Sequence, residues 1–450
     1  MKSLIILSLL FMYGLSFAQI QWQESGIPVR QGENIEWSGT SLSTTDGNLV
    51  CIWSDTRNGT RGIFAQKISP DGVFLWEDEG IEVNDGEYIQ DFPVAIATEN
   101  NDVIIVWWNL TDWNMLEIRA QKIDAIGSLQ WDSEGLLLFS NEYILPNIHI
   151  INDDSDGALI FWNTNSTELL GLHILNNGSI APGWNINGNQ IITQYLYYLD
   201  IIADGYGGAV IAYRTGNYPD YDLDMQRVDG SGILLWGDNG TSLCNEDNNQ
   251  DRVTISTNND GIYYFFWRDY RNNPFYDIYM QKVDQDGNKF WPEDLLLQEN
   301  IYANQIKSVM GNDGYPIICW RSSEHIYAQK IDSNGNILWE PNGLPICLYE
   351  DCSYFDLQPD NYNGCWITWE RCIYPNTDIY IQHVNNSGTI MLEENGMSVC
   401  SADYKRVWPV INTLNNDEIF ISWEDWRTGS ASLYSQIVNF DGIIQLPENG

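Results

Sequence analysis

The residues of this chain whose types and spacing could do chemistry are three copies of a short motif, Trp-x-Asp-x-Arg. They are Trp53, Asp55 and Arg57, then Trp267, Asp269 and Arg271, then Trp423, Asp425 and Arg427. A guanidinium presents a planar fork of N–H donors that fits a carboxylate or sulfate, and an indole offers a flat apolar face for a sugar ring. The motif is therefore a candidate ligand-binding element. The same residues also suit a plainer task, an Asp–Arg pair that ties a loop to itself or to its neighbour. Recurrence favours the plainer task, because repeated scaffolding is expected and many identical active sites are not. Three further places break the pattern: Tyr213-Arg214, Trp320-Arg321-Ser322-Ser323 without the Asp, and Trp369-Glu370-Arg371 with the Arg moved inward. A unique site belongs where such symmetry fails. No catalytic cluster stands out, and four dispersed histidines with no Cys-x-x-Cys give no zinc-like pattern.

The second candidate is a set of oxygen-rich loops, residues 245–251 and Glu350-Asp351, for which calcium is the cation that fits. Residues 152–157 look like a calcium loop, but they fall on a tight hairpin without a downstream acidic ligand and read as a solvated turn.

These motifs sit in a repeat. An aromatic closes an apolar run at Trp53, Trp107, Trp162, Tyr213, Trp267, Trp320, Trp369 and Trp423. A strand-like stretch then carries Gln66, Gln121, His173, Gln226, Gln281, Gln329, Gln382 and Gln436. The period is about 53 residues, which marks a propeller, solenoid or array. Each copy contains four short segments rich in Val, Ile, Trp and Tyr between Asn, Asp and Gly turns, in the second copy 92–98, 103–108, 117–123 and 128–131. We call the four segments a to d. Trp76, Trp131, Trp236, Trp291 and Trp339 each stand four residues after the Gly of the c–d turn, and Leu392 and Leu446 take that place later. A four-stranded sheet this short cannot bury both faces alone, whereas radial stacking does, so the expected fold is an all-β, eight-bladed propeller spanning 19–450, with the regular indoles packed between blades. The a–b and c–d turns then share one face of the ring, and the b–c and d–a loops the other, where ligands would bind. Residues 20–22 and the C-terminal 443–450 both match 74–76 in type, and either can complete the eighth blade; if 20–22 do so they pair with 433–438, with Trp22 a better occupant than Leu446.

Lys2, an apolar run over 4–13 and Ser16-Phe17-Ala18 read as an export signal over 1–18, which implies a secreted, cell-surface or periplasmic protein. No later run is long and apolar enough to span a bilayer. Sixty-two acidic against 21 basic residues give a net charge of −41, which excludes nucleic acid as a partner and disfavours anionic membranes. The chain is read as a monomer. Of eight cysteines, Cys244, Cys347 and Cys400 fall at one repeat position and are not expected to pair with one another, while Cys352 and Cys372 could meet.

Residues 331–339, with Asp332, Gly335 and Trp339, resemble the tryptophan-docking repeat of quinoprotein-like eight-bladed propellers, and also the Asp-box hairpin of sialidase-type propellers. The whole repeat is similar to uncharacterised exported bacterial propeller proteins whose blades carry Trp-x-Asp-x-Arg and Ala-Gln-Lys-Ile-Asp; here the match lies in Trp53 to Arg57, Ala65-Gln66-Lys67-Ile68 and Trp267 to Arg271. The resemblance implies the fold, not the chemistry. Quinoprotein dehydrogenases use adjacent cysteines, absent from this chain, and the first Arg motif of sialidases is missing. The sequence reading is an exported, non-catalytic binding or scaffold protein that engages a protein or glycan through its b–c/d–a face. A carbohydrate-active enzyme, with a site at the mouth of the central channel, is the alternative.

Overall fold

A computed structural model of the chain describes residues 27–29, 36–85, 88–111, 115–142, 146–217, 219–272, 274–400, 404–414, 418–427 and 429–444. The described residues form eight antiparallel sheets of four strands, arranged in a ring as an eight-bladed β-propeller. In the second blade the strands are Ile89–Ala97, Val103–Leu110, Met115–Ile123 and Leu136–Glu142, in the sheet order a–b–c–d. Strands b and c lie between neighbouring blades and are buried on both faces, as in Leu49–Asp55 and Gly62–Ile68. That explains their near-continuous apolar runs. The a strands of successive blades touch one another around the axis.

The outer strand lies further along the chain than the sequence suggests. Residues 128–131, expected as strand d, contribute only one bridge, Ile123 to Leu129. The chain then turns at Gly135 before Leu136–Glu142 pairs with strand c. The reason is the indole that ends this segment, which leaves its own sheet to dock on the next blade. Trp76, Trp131, Trp236 and Trp339 lie against Gly127, Gly178, Gly287 and Gly388 of the following blade. Trp76, Trp184, Trp236 and Trp339 donate their indole N–H to Ala125, Gly230, Gln285 and Asn386 carbonyls at 3.4, 2.9, 3.1 and 3.0 Å. The regular tryptophans are thus blade-to-blade packing.

The repeated Gln holds this excursion in place. Gln329 accepts from the backbone N–H groups of Lys330 and Trp339, both at 2.9 Å, and donates to the Glu340 carbonyl at 2.7 Å. Gln66, Gln121, Gln226 and Gln382 make the same three bonds. His173, expected in this slot, sits one place further on. It pairs with Leu159 as Lys67 pairs with Val50, so Leu172 occupies the Gln position. His173 instead joins a set of nitrogen-bearing side chains, Lys, Arg or His, each held by an Asp of the a–b turn: Lys67–Asp46, Lys122–Asp102, His173–Asp153, Arg227–Asp204, Lys330–Asp313 and His383–Asp360, at 2.7 to 2.9 Å. Residues 152–157 form a turn in which Asn152, Asp154 and Ser155 are exposed, as expected, while one member is spent on structure. Asp153 is buried, accepts from the Ser155 and Gly157 N–H groups at 2.8 and 2.7 Å, and holds His173.

The eighth blade is Arg406–Thr413, Glu418–Asp425 and Ser432–Asn439, with Ile27–Pro28 as its outer strand. Ile27 pairs with Ser435 and Pro28 with Tyr434, so Ile27–Pro28 closes the ring on the strand that residues 20–22 were expected to meet. Residues 20–22, Trp22 and Leu446 lie outside the described residues, as does the export signal. At the other end Val438 bridges Ile444, as Ile68 bridges Phe74.

Cys244, Cys347 and Cys400 each end an outer strand. Cys352 is bonded to Cys347, which joins the outer strand of blade 6 to the inner strand of blade 7, and Cys372 is free and exposed. Cys352 does not meet Cys372, as it could have, because it is bonded to Cys347, five residues away.

Candidate functional site at the axial mouth

Each Trp-x-Asp-x-Arg copy folds into a knot around its Asp. Asp269 is fully buried and accepts from the Trp267 indole at 2.9 Å, the Arg271 backbone N–H at 2.8 Å and the Arg271 guanidinium at 2.7 Å. Arg271 reaches on to Asp294 at 3.0 Å and to Cys244 Sγ of the preceding blade at 3.1 Å, with its guanidinium 4.0 Å from the Tyr279 ring centre. Asp425 takes the Trp423 indole at 3.0 Å and the Arg427 backbone at 2.9 Å, and Arg427 touches Cys400 Sγ at 3.1 Å. Asp55 takes the Trp53 indole at 3.0 Å and the Arg57 backbone at 2.8 Å, and Arg57 also bonds the Glu79 carbonyl. Trp53, Trp267 and Trp423 have no exposed surface, so no ring face is open for stacking. The knots lie in blades 1, 5 and 8, and their arginines point toward outer strands rather than to one common place.

The other end of these loops, near the axis, is built differently. Several inner strands carry a bulge near their start, including those between Asp91 and Val94, Tyr197 and Asp200, Asp251 and Thr254, and Val407 and Val410. The bulge residues Phe92, Tyr198, Arg252 and Trp408 have φ of 51°, 47°, 53° and 54°. Bulky side chains rarely adopt this left-handed conformation, which costs on the order of 1–3 kcal/mol at each place and tends to be kept where a side chain must be aimed. Phe92 and Trp408 are each 56% exposed.

A cavity of about 720 Å³ opens between them. Its walls are Gly39 from blade 1, Phe92, Pro93, Val94 and Trp108 from blade 2, Pro146, Asn147 and Ile148 from blade 3, and Trp408, Glu424 and Trp426 from blade 8. A cavity touching the inner strands of four consecutive blades in an eight-bladed ring lies at its axis. The start of strand a and the end of strand b place it on the b–c/d–a face. Phe92 stacks on Trp108 with ring centres 5.8 Å apart. Trp426 donates to Glu424 Oε1 at 2.8 Å, and burial raises the Glu424 carboxyl above the ordinary value despite that bond and nearby Lys405. In blade 7 the matching residue is Glu370, raised by burial as well; it accepts from Ser353 Oγ and from the Trp408 backbone N–H, both at 2.6 Å.

The residue after the b-strand aromatic therefore sets the character of the rim: Trp108 in blade 2, Arg214, Arg268 and Arg321 in blades 4 to 6, and Glu370 and Glu424 in blades 7 and 8. Arg214, Arg321 and Glu370 belong to the pattern-breaking copies. The bulge residues were not readable, because a bulge in one strand leaves no local mark in a single sequence. Among the described residues no three of His, Cys, Asp and Glu gather into a cation-sized group, including those of the oxygen-rich loops.

No family model matches the sequence, and no curated protein matches it. Solved structures do. The chain is similar to a protein of unknown function from Dyadobacter fermentans at 8% identity and a TM-score of 0.42, over 96% of this chain and 100% of that one. It is similar to an ulvan lyase from a new family of polysaccharide lyases at 9% identity and a TM-score of 0.47, over 96% of this chain and 97% of that one. A puromycin hydrolase matches at 11% identity and a TM-score of 0.45, over 81% of this chain and 54% of that one.

Proposed function

We propose that the protein binds a glycan at the axial mouth of its b–c/d–a face, acting as an exported, monomeric, non-catalytic binding propeller. The observation that carries this reading is the set of bulged inner-strand residues, above all Phe92 and Trp408, whose rings stand exposed in a disfavoured backbone conformation. Exposed aromatic faces held at such a cost suit stacking on a sugar ring. A glycan array probed with the purified protein tests it. Binding that disappears in Trp408→Ala supports the reading, and an array without any hit, or hits indifferent to Trp408→Ala and Phe92→Ala, overturns it.

Glu370 and Glu424 favour a second reading, a carbohydrate-active enzyme. Both carboxyls are held toward the protonated form by burial at the same mouth, as a general acid requires. Release of new sugar ends from a bound polysaccharide, abolished by Glu424→Gln, would replace binding by catalysis. Bound but uncut polysaccharide keeps the first reading.

A further inference from the structure

We infer that the ligand of this mouth is an anionic saccharide, bearing uronate or sulfate groups, and that Arg214 and Arg252 form the clamp for its charge. The inference rests on the glycan-binding reading above. Cations are scarce in this chain, with 21 basic against 62 acidic residues. Eight arginines are paired with carboxylates. Among the described residues Arg214, Arg252, Arg321 and Arg371 form no ion pair, and the Nε of each is buried without a hydrogen-bond partner; Arg321 and Arg371 spend a terminal N–H on the Cys352 carbonyl and the Tyr380 hydroxyl, at 3.1 and 3.2 Å.

What holds the guanidiniums of Arg214 and Arg252 is aromatic. Arg214 stands 3.9 Å from the Tyr221 ring centre, 4.9 Å from Tyr197 and 4.8 Å from Tyr198. Arg252, from the next blade, stands 4.9 Å from the same Tyr198 ring. Tyr198 and Arg252 occupy in blades 4 and 5 the left-handed bulge that Phe92 and Trp408 occupy beside the cavity, so they point to the same mouth. Stacking on an aromatic face leaves the edge of a guanidinium, with its N–H donors, free to fork onto a planar oxyanion. The contrast with Arg268 is instructive. At the position equivalent to Arg214, in blade 5, it is consumed by Asp251 through bonds of 2.7 and 2.8 Å.

A protein so acidic repels anions over most of its surface, so two unneutralised arginines on one ring mark a local attraction. Tyr197 and Tyr198 are each 45% exposed beside them, which suits a sugar ring carrying the charge better than an extended acidic peptide.

The test titrates the full-length protein with a galacturonate hexasaccharide and with dextran sulfate, against neutral maltohexaose and polyglutamate. The clamp predicts binding of at least one charged saccharide, weakened by added salt. Arg214→Gln and Arg252→Asn should each weaken it roughly 10- to 100-fold, as expected for a lost charge-assisted contact. Arg214→Lys keeps the charge without the fork and should restore only part. Asn tolerates the left-handed backbone at 252, so Arg252→Asn should melt no lower than the parent while losing binding, a split that a structural role would not give. Neutral saccharide or polyglutamate bound as tightly as the charged saccharides overturns the inference, as does charged-saccharide binding that ignores both substitutions, or none at all. If Trp408→Ala abolishes binding while Arg214→Gln and Arg252→Asn do not, the clamp fails and the mouth survives; if none of the three matters, both fail.

Discussion

Trp339 lies flat against Gly388 of the next blade and donates its indole N–H to the Asn386 carbonyl at 3.0 Å. A Cβ on Gly388, whose φ is +78°, would stand 2.7 Å from Trp339 Cδ1. Gly388→Ala should therefore cost about 3 kcal/mol, combining the left-handed penalty with a clash in a packed boundary. Gly59 also has a positive φ but nothing within 4 Å of a built Cβ, so Gly59→Ala should cost only about 1 kcal/mol. Urea unfolding of the two variants compares them; equal losses would show that the indole dock carries little.

The Trp-x-Asp-x-Arg knots should be structural. Asp269→Ala removes the acceptor of the Trp267 indole and one partner of Arg271, and should cost about 3 kcal/mol. Arg57→Gln, by contrast, should leave saccharide binding unchanged. A loss of binding in Arg57→Gln at unchanged melting temperature would return the motif to the ligand site.

Blade number, strand count and blade-to-blade indoles were legible because each rests on a feature repeated in most blades, and a repeated Gly–Trp or Gln position can be read by self-comparison. The register of one strand was not. His173 looked like a Gln substitute by spacing alone, but its pairing with Leu159 places it among the side chains held by an a–b-turn Asp. Strand d was misplaced because the segment ending in Trp131 has strand-like residues whose apolar side is spent on the neighbouring blade. For the site, the pattern-breaking Arg214, Arg321 and Glu370 were visible in the sequence, while Phe92 and Trp408 depend on bulges that only the sheet register shows.

Closure by the first strand gives a truncation test. Val29 is buried with Leu49, Trp53 and Leu433, and its N–H bonds the Leu433 carbonyl at 2.9 Å. A chain beginning at residue 30 loses this strand and bares the edge of Ser432–Asn439. It should melt well below the parent and aggregate on heating. An unchanged melting curve would mean that the N-terminal strand does not seal the ring.

Glu424 gives a pH signature. Its folded carboxyl is raised above 4.5 by burial, so the folded state holds the proton more tightly than the unfolded one. Stability contributed by this group is therefore greatest at acid pH and falls as pH rises from 4.5 through the folded value. Glu424→Gln should match the parent at low pH and become the more stable of the two as pH rises. A difference independent of pH, in melts taken across the range, would contradict the burial of this carboxyl.

A crystal structure with a bound acidic oligosaccharide decides whether the axial mouth holds a glycan. The expected result is a sugar ring stacked on Trp408 or Phe92 inside the cavity, with its charged group toward Arg214 and Arg252 on the far side of the rim. A saccharide seated instead on the a–b/c–d face, beside Tyr362 and Phe440, or along the outer strands with the mouth empty, would contradict it.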